Sequence, residues 1–584
     1  MPAAMQHESQ TSRSRSPRFK ERSLRFIRNA RCVAIASLCA LITFTAFEQA
    51  ASAQAAPKDE KPRGTAYDVS GQLRVRSTRI EPLELSGTQV PVMQWTEQRM
   101  RLDASLSKPG LGRITFQGDA LDGVLFGDNG DFAGDPSSNS GISLSSKVPN
   151  LTRWTVGLPN EDADAFERTS YIPVLEAAPA FELNYLYGDV ILPLGLLRVG
   201  RQPISYGASI AGHDGGRYNR FGVSKYSDAV DRILFGTKID EAIKIASNPD
   251  HIPNTSLDSG VVFALFYDFM KQDDVQILGD DLRQMGMALE LRRKSADWLG
   301  FDWGNVLVGG RAVYLRNEQF DTDVFGLPFI ASASIENLDL ELQYIHTRGK
   351  TREISEGFAA LSSAEPQRQQ LTAHGARAVA DVNLGRVVLT MEFDYASGDG
   401  DPRSSTPITS FSFARDMNVG LLLFEHIIAF ESARSVAVGV ENLSDLDVES
   451  FPLTEVQTDG RFTNAVALFP QIYVDLVRND DHRVWLRSGA LIAWPEDEIG
   501  LVDPVMTTLS EDGSEIRDDA VNFHGGSPGN FYGVEVDAQL GWNLKKHFDW
   551  VVEGGILFPG NSLQDENGDA VNSYIIENRF VFTF

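Results

Sequence analysis

The sequence predicts an all-β chain: a transmembrane antiparallel β-barrel of about eighteen strands, with sixteen also compatible. Three observations predict it. Apolar and polar residues alternate with a period of two along much of the chain, which puts the two sets on opposite faces of a strand. The alternating runs are about 10–14 residues long, longer than the roughly 5–6 of soluble sheets and close to the roughly 9–11 that cross a bilayer. Short turns and long segments between the runs also take turns along the chain, as in barrels whose turns lie on one side and loops on the other.

Composition narrows the alternatives. At 584 residues, length alone suggests three or four domains. Lys+Arg 53 against Asp+Glu 80 gives a net charge of -27, which argues against a basic nucleic-acid binder. Cys32 and Cys39 are the two cysteines, so a disulfide scaffold is excluded. Hydrophobic residues at 42% with abundant charge do not describe a bundle of apolar helices, and 10% aromatics do not describe a disordered acidic chain.

Residues 1–53 read as a cleaved signal peptide for the general secretion route. Eight basic residues between Arg13 and Arg31 precede the nearly uncharged run Val33 to Phe47, and Ala51-Ser52-Ala53 supplies small residues for cleavage. The run is short for a helical span; a retained anchor is the alternative. Leu38 before Cys39 and Arg31 before Cys32 disfavour lipidation. Residues 54–68 then form a periplasmic lead-in, and 69–584 the barrel.

Strands are expected near 69–79, 94–106, 112–122, 181–189, 195–202, 229–240, 259–270, 282–294 and 304–316. The remainder fall near 326–335, 338–348, 370–382, 386–396, 463–478, 483–495, 530–544, 549–558 and 573–584. From Tyr532 to Leu544, one face carries Tyr532, Val534, Val536, Ala538, Leu540, Trp542 and Leu544, and the other Glu535, Asp537, Gln539 and Asn543. Likewise Met100, Leu102 and Leu106 oppose Glu97, Arg99, Arg101 and Asp103, and Leu389, Met391 and Phe393 oppose Thr390, Glu392 and Asp394. Turns 107–112, 383–385, 478–481 and 545–549 fall on one side; the long segments 123–180, 203–228, 349–369, 397–462 and 496–529 fall on the other. Trp95, Trp303, Trp494, Trp542 and Trp550 lie near strand ends, where an aromatic girdle would sit.

The stretch SYIIENRFVFTF, 573–584, puts Tyr574, Ile576, Phe580, Phe582 and Phe584 on one face. It resembles the C-terminal strand of bacterial outer-membrane proteins, and the resemblance implies that its aromatics are the signal read by the barrel-assembly machinery. The stretch 198–239 has a strand ending Arg198-Val-Gly-Arg201, a glycine-rich loop, and a strand opening Asp231-Arg232. It is similar to large porins, most of all the alginate-export and phosphate-selective groups. That resemblance implies an early loop, 203–228, folded inward to line a constriction with Arg201, His213, Asp214, Arg217, Tyr218, Arg220 and Arg232.

Arginines also recur on the faces expected to line the lumen: Arg74, Arg76, Arg99, Arg101, Arg198 and Arg201. A ring of them would favour anions. Glu97, Asp103, Glu290, Asp339, Glu341, Glu392, Glu535 and Asp537 share those faces, so a lumen of mixed charge fits equally. Asp128 and Asp131, Asp399 and Asp401, and Asp565, Asn567 and Asp569 cluster oxygens that could hold calcium or make ordinary turns. The apolar run 411–430 inside segment 397–462 should find cover, as a partial plug in the barrel mouth or lumen.

No enzyme motif is complete. Gly207-Ala-Ser209-Ile-Ala-Gly212 is one residue too long for a nucleophile elbow, Gly236-Thr-Lys238 lacks an upstream phosphate-loop glycine, and no HExxH occurs. The sequence therefore points to an outer-membrane, porin-like channel for small hydrophilic solutes or ions, without cofactor. Its other partners would be outer-membrane lipid and lipopolysaccharide. A non-conducting structural or adhesive barrel, or a hydrolase using Ser209, His213 and Asp214, are the alternatives.

Overall fold

A computed structural model describes residues 64–83, 85, 92–127, 154–156, 173–175, 181–204, 210–213, 219–224, 228–248, 250–270, 282–352, 355, 365–401, 405–414, 417–432, 458, 460–497, 502–503 and 520–584. The expected signal segment 1–53 lies outside them. Eighteen strands form one sheet. They are β1 (Ala66–Glu81), β2 (Met93–Lys108), β3 (Gly112–Gly127), β4 (Glu182–Leu192), β5 (Gly195–Pro203) and β6 (Ala229–Lys238). Then come β7 (Gly260–Phe269), β8 (Arg283–Trp298), β9 (Phe301–Asn317), β10 (Thr322–Ile335), β11 (Leu338–Thr351) and β12 (Gln369–Asn383). The last six are β13 (Val387–Ala396), β14 (Ala465–Arg478), β15 (His482–Trp494), β16 (Gly533–Leu544), β17 (Phe548–Pro559) and β18 (Ser573–Thr583). A separate short pair joins Trp154–Val156 to Pro173–Leu175.

Each strand pairs antiparallel with its sequence neighbours, and β1 pairs with β18, Gln72 opposite Thr583 through Glu81 opposite Tyr574. The sheet is a closed barrel and has no free edge, which satisfies every strand's backbone groups around the ring. All eighteen expected strands are present. β1 begins at Ala66, inside the stretch read as a lead-in.

The alternation sorts the faces as expected. On β16, Val536 and Leu540 are exposed on the outer wall, while Glu535, Asp537 and Gln539 are buried inside. Expectations about faces fail at Tyr532 and Trp95, as they do at Arg201 below. Tyr532, read as outward, is buried and donates its hydroxyl to the Asn464 carbonyl at 2.9 Å; it precedes β16, where strand alternation no longer applies. Trp95, read as girdle, points inward, and its ring lies edge-on to His426. The girdle is instead visible near the turn side, where Trp542, Phe548, Trp550, Phe580 and Phe582 form a chain of ring contacts.

One turn-side connection carries a helix the sequence reading missed. Helix α1 (Ile239–Ser247) links β6 to β7, with Asp240 and Glu241 in its first turn, where carboxylates oppose the helix dipole. Burial would raise the Glu241 pKa, but Lys244 Nζ at 2.6 Å, His251 Nε2 at 2.7 Å and the Asn254 N–H at 2.8 Å bring it down to about 2. Among the described residues, no helix is long and apolar enough to cross a membrane.

Candidate functional site

The lumen is crossed by residues 219–224, between β5 and β6. This short stretch touches inward side chains from eight strands, chiefly through its backbone. Arg220 makes a two-pronged contact with Asp381 of β12 at 3.0 and 3.1 Å and donates to Thr390 of β13 at 2.8 Å. Its carbonyl accepts from Arg487 of β15. Phe221 stacks on Phe469 of β14 with centroids 5.3 Å apart. The Gly222 N–H reaches Glu553 of β17 at 2.9 Å, and its carbonyl accepts from Arg579 of β18 at 3.2 Å. The Ser224 carbonyl accepts from Arg74 of β1 and Arg99 of β2.

Gly222 has φ +71°, and a Cβ there would lie 2.5 Å from Asn418 Nδ2. Only glycine combines that backbone with that approach. Asn418 belongs to a second inward segment, part of the long connection between β13 and β14. Its residues Leu421 to Phe430 are almost wholly buried, and they share one apolar cluster with Ile80, Trp95, Phe469, Leu491, Leu557 and Ile575 of the wall. Here the inner wall near the loop side is apolar, contrary to the simple rule that lumens are polar. Glu535 of β16 anchors the segment. Its carboxylate accepts the N–H groups of Leu421, Leu422 and Leu423 at 2.6, 2.8 and 2.7 Å. A π-helix, Leu423–Ile428, begins there.

The wall arginines do not form a free ring. Cross-strand register sets Arg101 opposite Asp119, Arg198 opposite Asp189 and Arg232 opposite Asp268. Each makes a bidentate ion pair at 2.5–2.9 Å. Arg76 is held between Glu97 and Glu577. Arg201 departs from the expectation. Alternation puts it on the face opposite Arg198 and Gln202, beside exposed Leu186, where it pairs with Asp231 at 3.1 Å. It belongs to the outer wall near the loop-side rim, because residues three apart on a strand cannot share a face.

His213 is buried; its N–H donates to Asp228 at 2.7 Å, and its Nε2 lies 3.2 Å from Ser224 Oγ. Asp214, Arg217 and Tyr218 lie outside the described residues, as do Ser209, Asp128 and Asp131. The residues that sequence reasoning missed are Phe221, Gly222, Ser224, Asp381, Arg487, Glu553 and Arg579. The pairing of Phe221 with Gly222 inside a charged loop was the available signal.

The remaining calcium candidates make ordinary turns. Asp565 accepts the N–H groups of Asp569 and Asn567 at 2.8 and 2.9 Å, which hold its carboxyl below the usual range. Asp399 accepts those of Thr409 and Asp401, although burial raises its pKa. Among the described residues, no group of three or more His, Cys, Asp or Glu is placed to hold a metal ion.

Tyr574, Phe582 and Phe584 are exposed on the outer face of β18 and just beyond it, and Phe580 stacks with Trp550. The Phe584 backbone exchanges hydrogen bonds with Gly71 of β1 at 2.8 and 2.9 Å. At the turn side of the lumen, Arg220, Ser332, Ser334, Asp339, Glu341 and Asp381 line a polar cavity of about 180 Å³.

No family model matches the chain, and no curated protein matches it. Solved structures similar to it include the Pseudomonas aeruginosa protein OccK9 (OpdG), at 9% identity and TM-score 0.43, over 89% of this chain and 98% of that one. Another is P. aeruginosa OccK2 (OpdF), at 11% identity and TM-score 0.39, over 88% and 97%. A third is Pseudomonas putida OprB, at 9% and 0.39, over 89% and 94%. The barrel is defined by its own strand pairing.

Proposed function

We propose that the chain is an outer-membrane, porin-like channel that passes small hydrophilic solutes by passive diffusion. The observation that carries this reading is the inward stretch 219–224, tied by backbone and side chain to strands around the barrel. A closed barrel needs no such tie for stability, since its strands already satisfy each other. A narrow, polar crossing inside it is what a diffusion channel uses to select by size and charge. Long loops would face outward and short turns the periplasm. The aromatic face of β18 would be read during assembly.

Because Arg101, Arg198 and Arg232 are each neutralised across a strand, the lumen supports weak rather than strong anion preference. In this reading the segment 417–432 restricts the loop-side mouth. Of the residues of the hydrolase alternative, His213 is described and lies beside Ser224; a hydroxyl beside an imidazole does not by itself make an activated nucleophile.

Planar-bilayer recording on refolded protein tests the proposal. Discrete conductance steps are expected, with a reversal potential close to zero under a salt gradient. Silence from a demonstrably folded barrel would replace the channel with a non-conducting structural or adhesive one.

A further inference from the structure

The outer wall carries a cationic rim over an apolar surface. On β11 the outward residues run Leu340, Leu342, Tyr344, His346, Arg348 and Lys350 toward the loop side. Neighbouring strands also end in charged residues. Arg283 of β8 stands opposite Arg316 of β9, and Arg316 opposite Asp323 of β10, which in turn stands opposite Lys350. Directly beneath lie apolar and aromatic side chains: Met285, Tyr314 and Phe325, with the Tyr314 and Phe325 rings 4.6 Å apart.

The acids of this rim already have partners. Asp323 takes Arg368 at 3.2 Å and the Tyr314 hydroxyl, and Glu318 takes Arg316 at 3.5 Å. Arg348 is exposed and Lys350 partly so, and neither makes an ion pair among the described residues. Arg348 stands opposite Phe325 and Thr372, with no acid across from it, and Lys350 faces an Asp323 that Arg368 already engages. Arg283 and Arg316, directly opposed across two strands, repel one another, and burial of the charged heads is not the reason for their position.

We propose that this rim binds the phosphorylated headgroup of an outer-leaflet lipid, whose acyl chains lie along the apolar wall below. Phosphate oxygens suit guanidinium and ammonium donors. The wall beneath Arg348 and Lys350, with its Leu and aromatic side chains, is the surface that an acyl chain covers. A soluble anion would use the cations and leave that wall untouched. The proposal rests on the outer-membrane reading, because it takes the long loops to face outward.

The test is native mass spectrometry of the full chain, purified in detergent, with lipopolysaccharide added. R348A/K350A is expected to weaken binding roughly tenfold or more, since each surface cation contributes on the order of 1 kcal/mol toward anionic lipid. Dephosphorylated lipopolysaccharide should bind the native protein equally weakly. Unchanged binding by the variant, or equal binding of the dephosphorylated lipid, would overturn the proposal. Complete displacement by excess inorganic phosphate would overturn the lipid as its source. Both side chains point away from the lumen, so the variant's conductance, recorded in parallel, tells a failure of the rim from a failure of the channel reading.

Discussion

Arg74 and Arg99 stand directly opposite each other on β1 and β2, and both donate to one oxygen, the Ser224 carbonyl, at 2.9 and 3.3 Å. Opposed like charges destabilise a strand pair. Here a carbonyl dipole sits between them, so the inward stretch and the arginine pair stabilise one another.

Replacing both, as R74Q/R99Q, should release residues 219–224 from that wall and remove positive charge from the lumen. The expected result is a larger single-channel conductance, with the reversal potential displaced toward cations. Each charge-assisted bond lost is worth about 1.5–3 kcal/mol. An unchanged conductance and reversal potential would show that the stretch is held without the pair.

Glu535 offers a sharper lever on the second segment. E535Q keeps the shape but leaves one acceptor oxygen in place of two for three N–H groups. A buried donor left unmade costs about 1–3 kcal/mol. Limited proteolysis should then cut within 413–432 in the variant and not in the native protein, and single-channel traces should become noisier.

His426 makes the same segment sensitive to acid. Burial, with a smaller contribution from Arg76, lowers its pKa to about 3, against about 6.5 in an unfolded chain. The folded state therefore binds the proton less readily. Its contribution is complete above about pH 6.5 and is lost progressively as pH falls toward 3, amounting to about 2 kcal/mol by pH 5. Hydrogen-exchange protection factors of residues 421–430, taken relative to intrinsic exchange at each pH, should fall between neutral pH and about pH 5, and H426N should flatten the change. Equal protection at both values would refute it.

At the closing seam, Gly71 leaves room for the Phe584 ring to lie on β1. A Cβ at this position would lie 2.4 Å from the Phe584 ring, so G71V must push that ring off β1. The expected outcome is a lower yield of the compact, heat-modifiable form on unboiled gels, with G71A intermediate. A yield equal to native would mean the ring moves at no cost.

The strand system was legible because two-residue periodicity is local: Glu535, Asp537 and Gln539 reveal their common face without knowledge of any partner. The charge state of the lumen was not. Whether Arg101 is free or neutralised depends on Asp119, whose position opposite it follows from strand register, and register is set by the whole barrel. Arg201 shows the reverse case, since strict alternation from Arg198 already excluded it from the lumen. The inward loop and Arg220 were expected from the porin resemblance, but Gly222 and Ser224 were not, because they act there through backbone groups that every residue carries. The positive φ of Gly222 and the approach of Asn418 together make glycine necessary at that position, and sequence spacing discloses neither.

The segment that occupies the loop-side lumen leaves the wall after β13 and rejoins it at β14. An obstruction bound at both ends cannot be lost by dilution or displaced by a competitor from solution. Any clearing of the passage is a unimolecular rearrangement within one barrel. Its rate is then independent of protein concentration, and each molecule closes again on its own without having to find a partner.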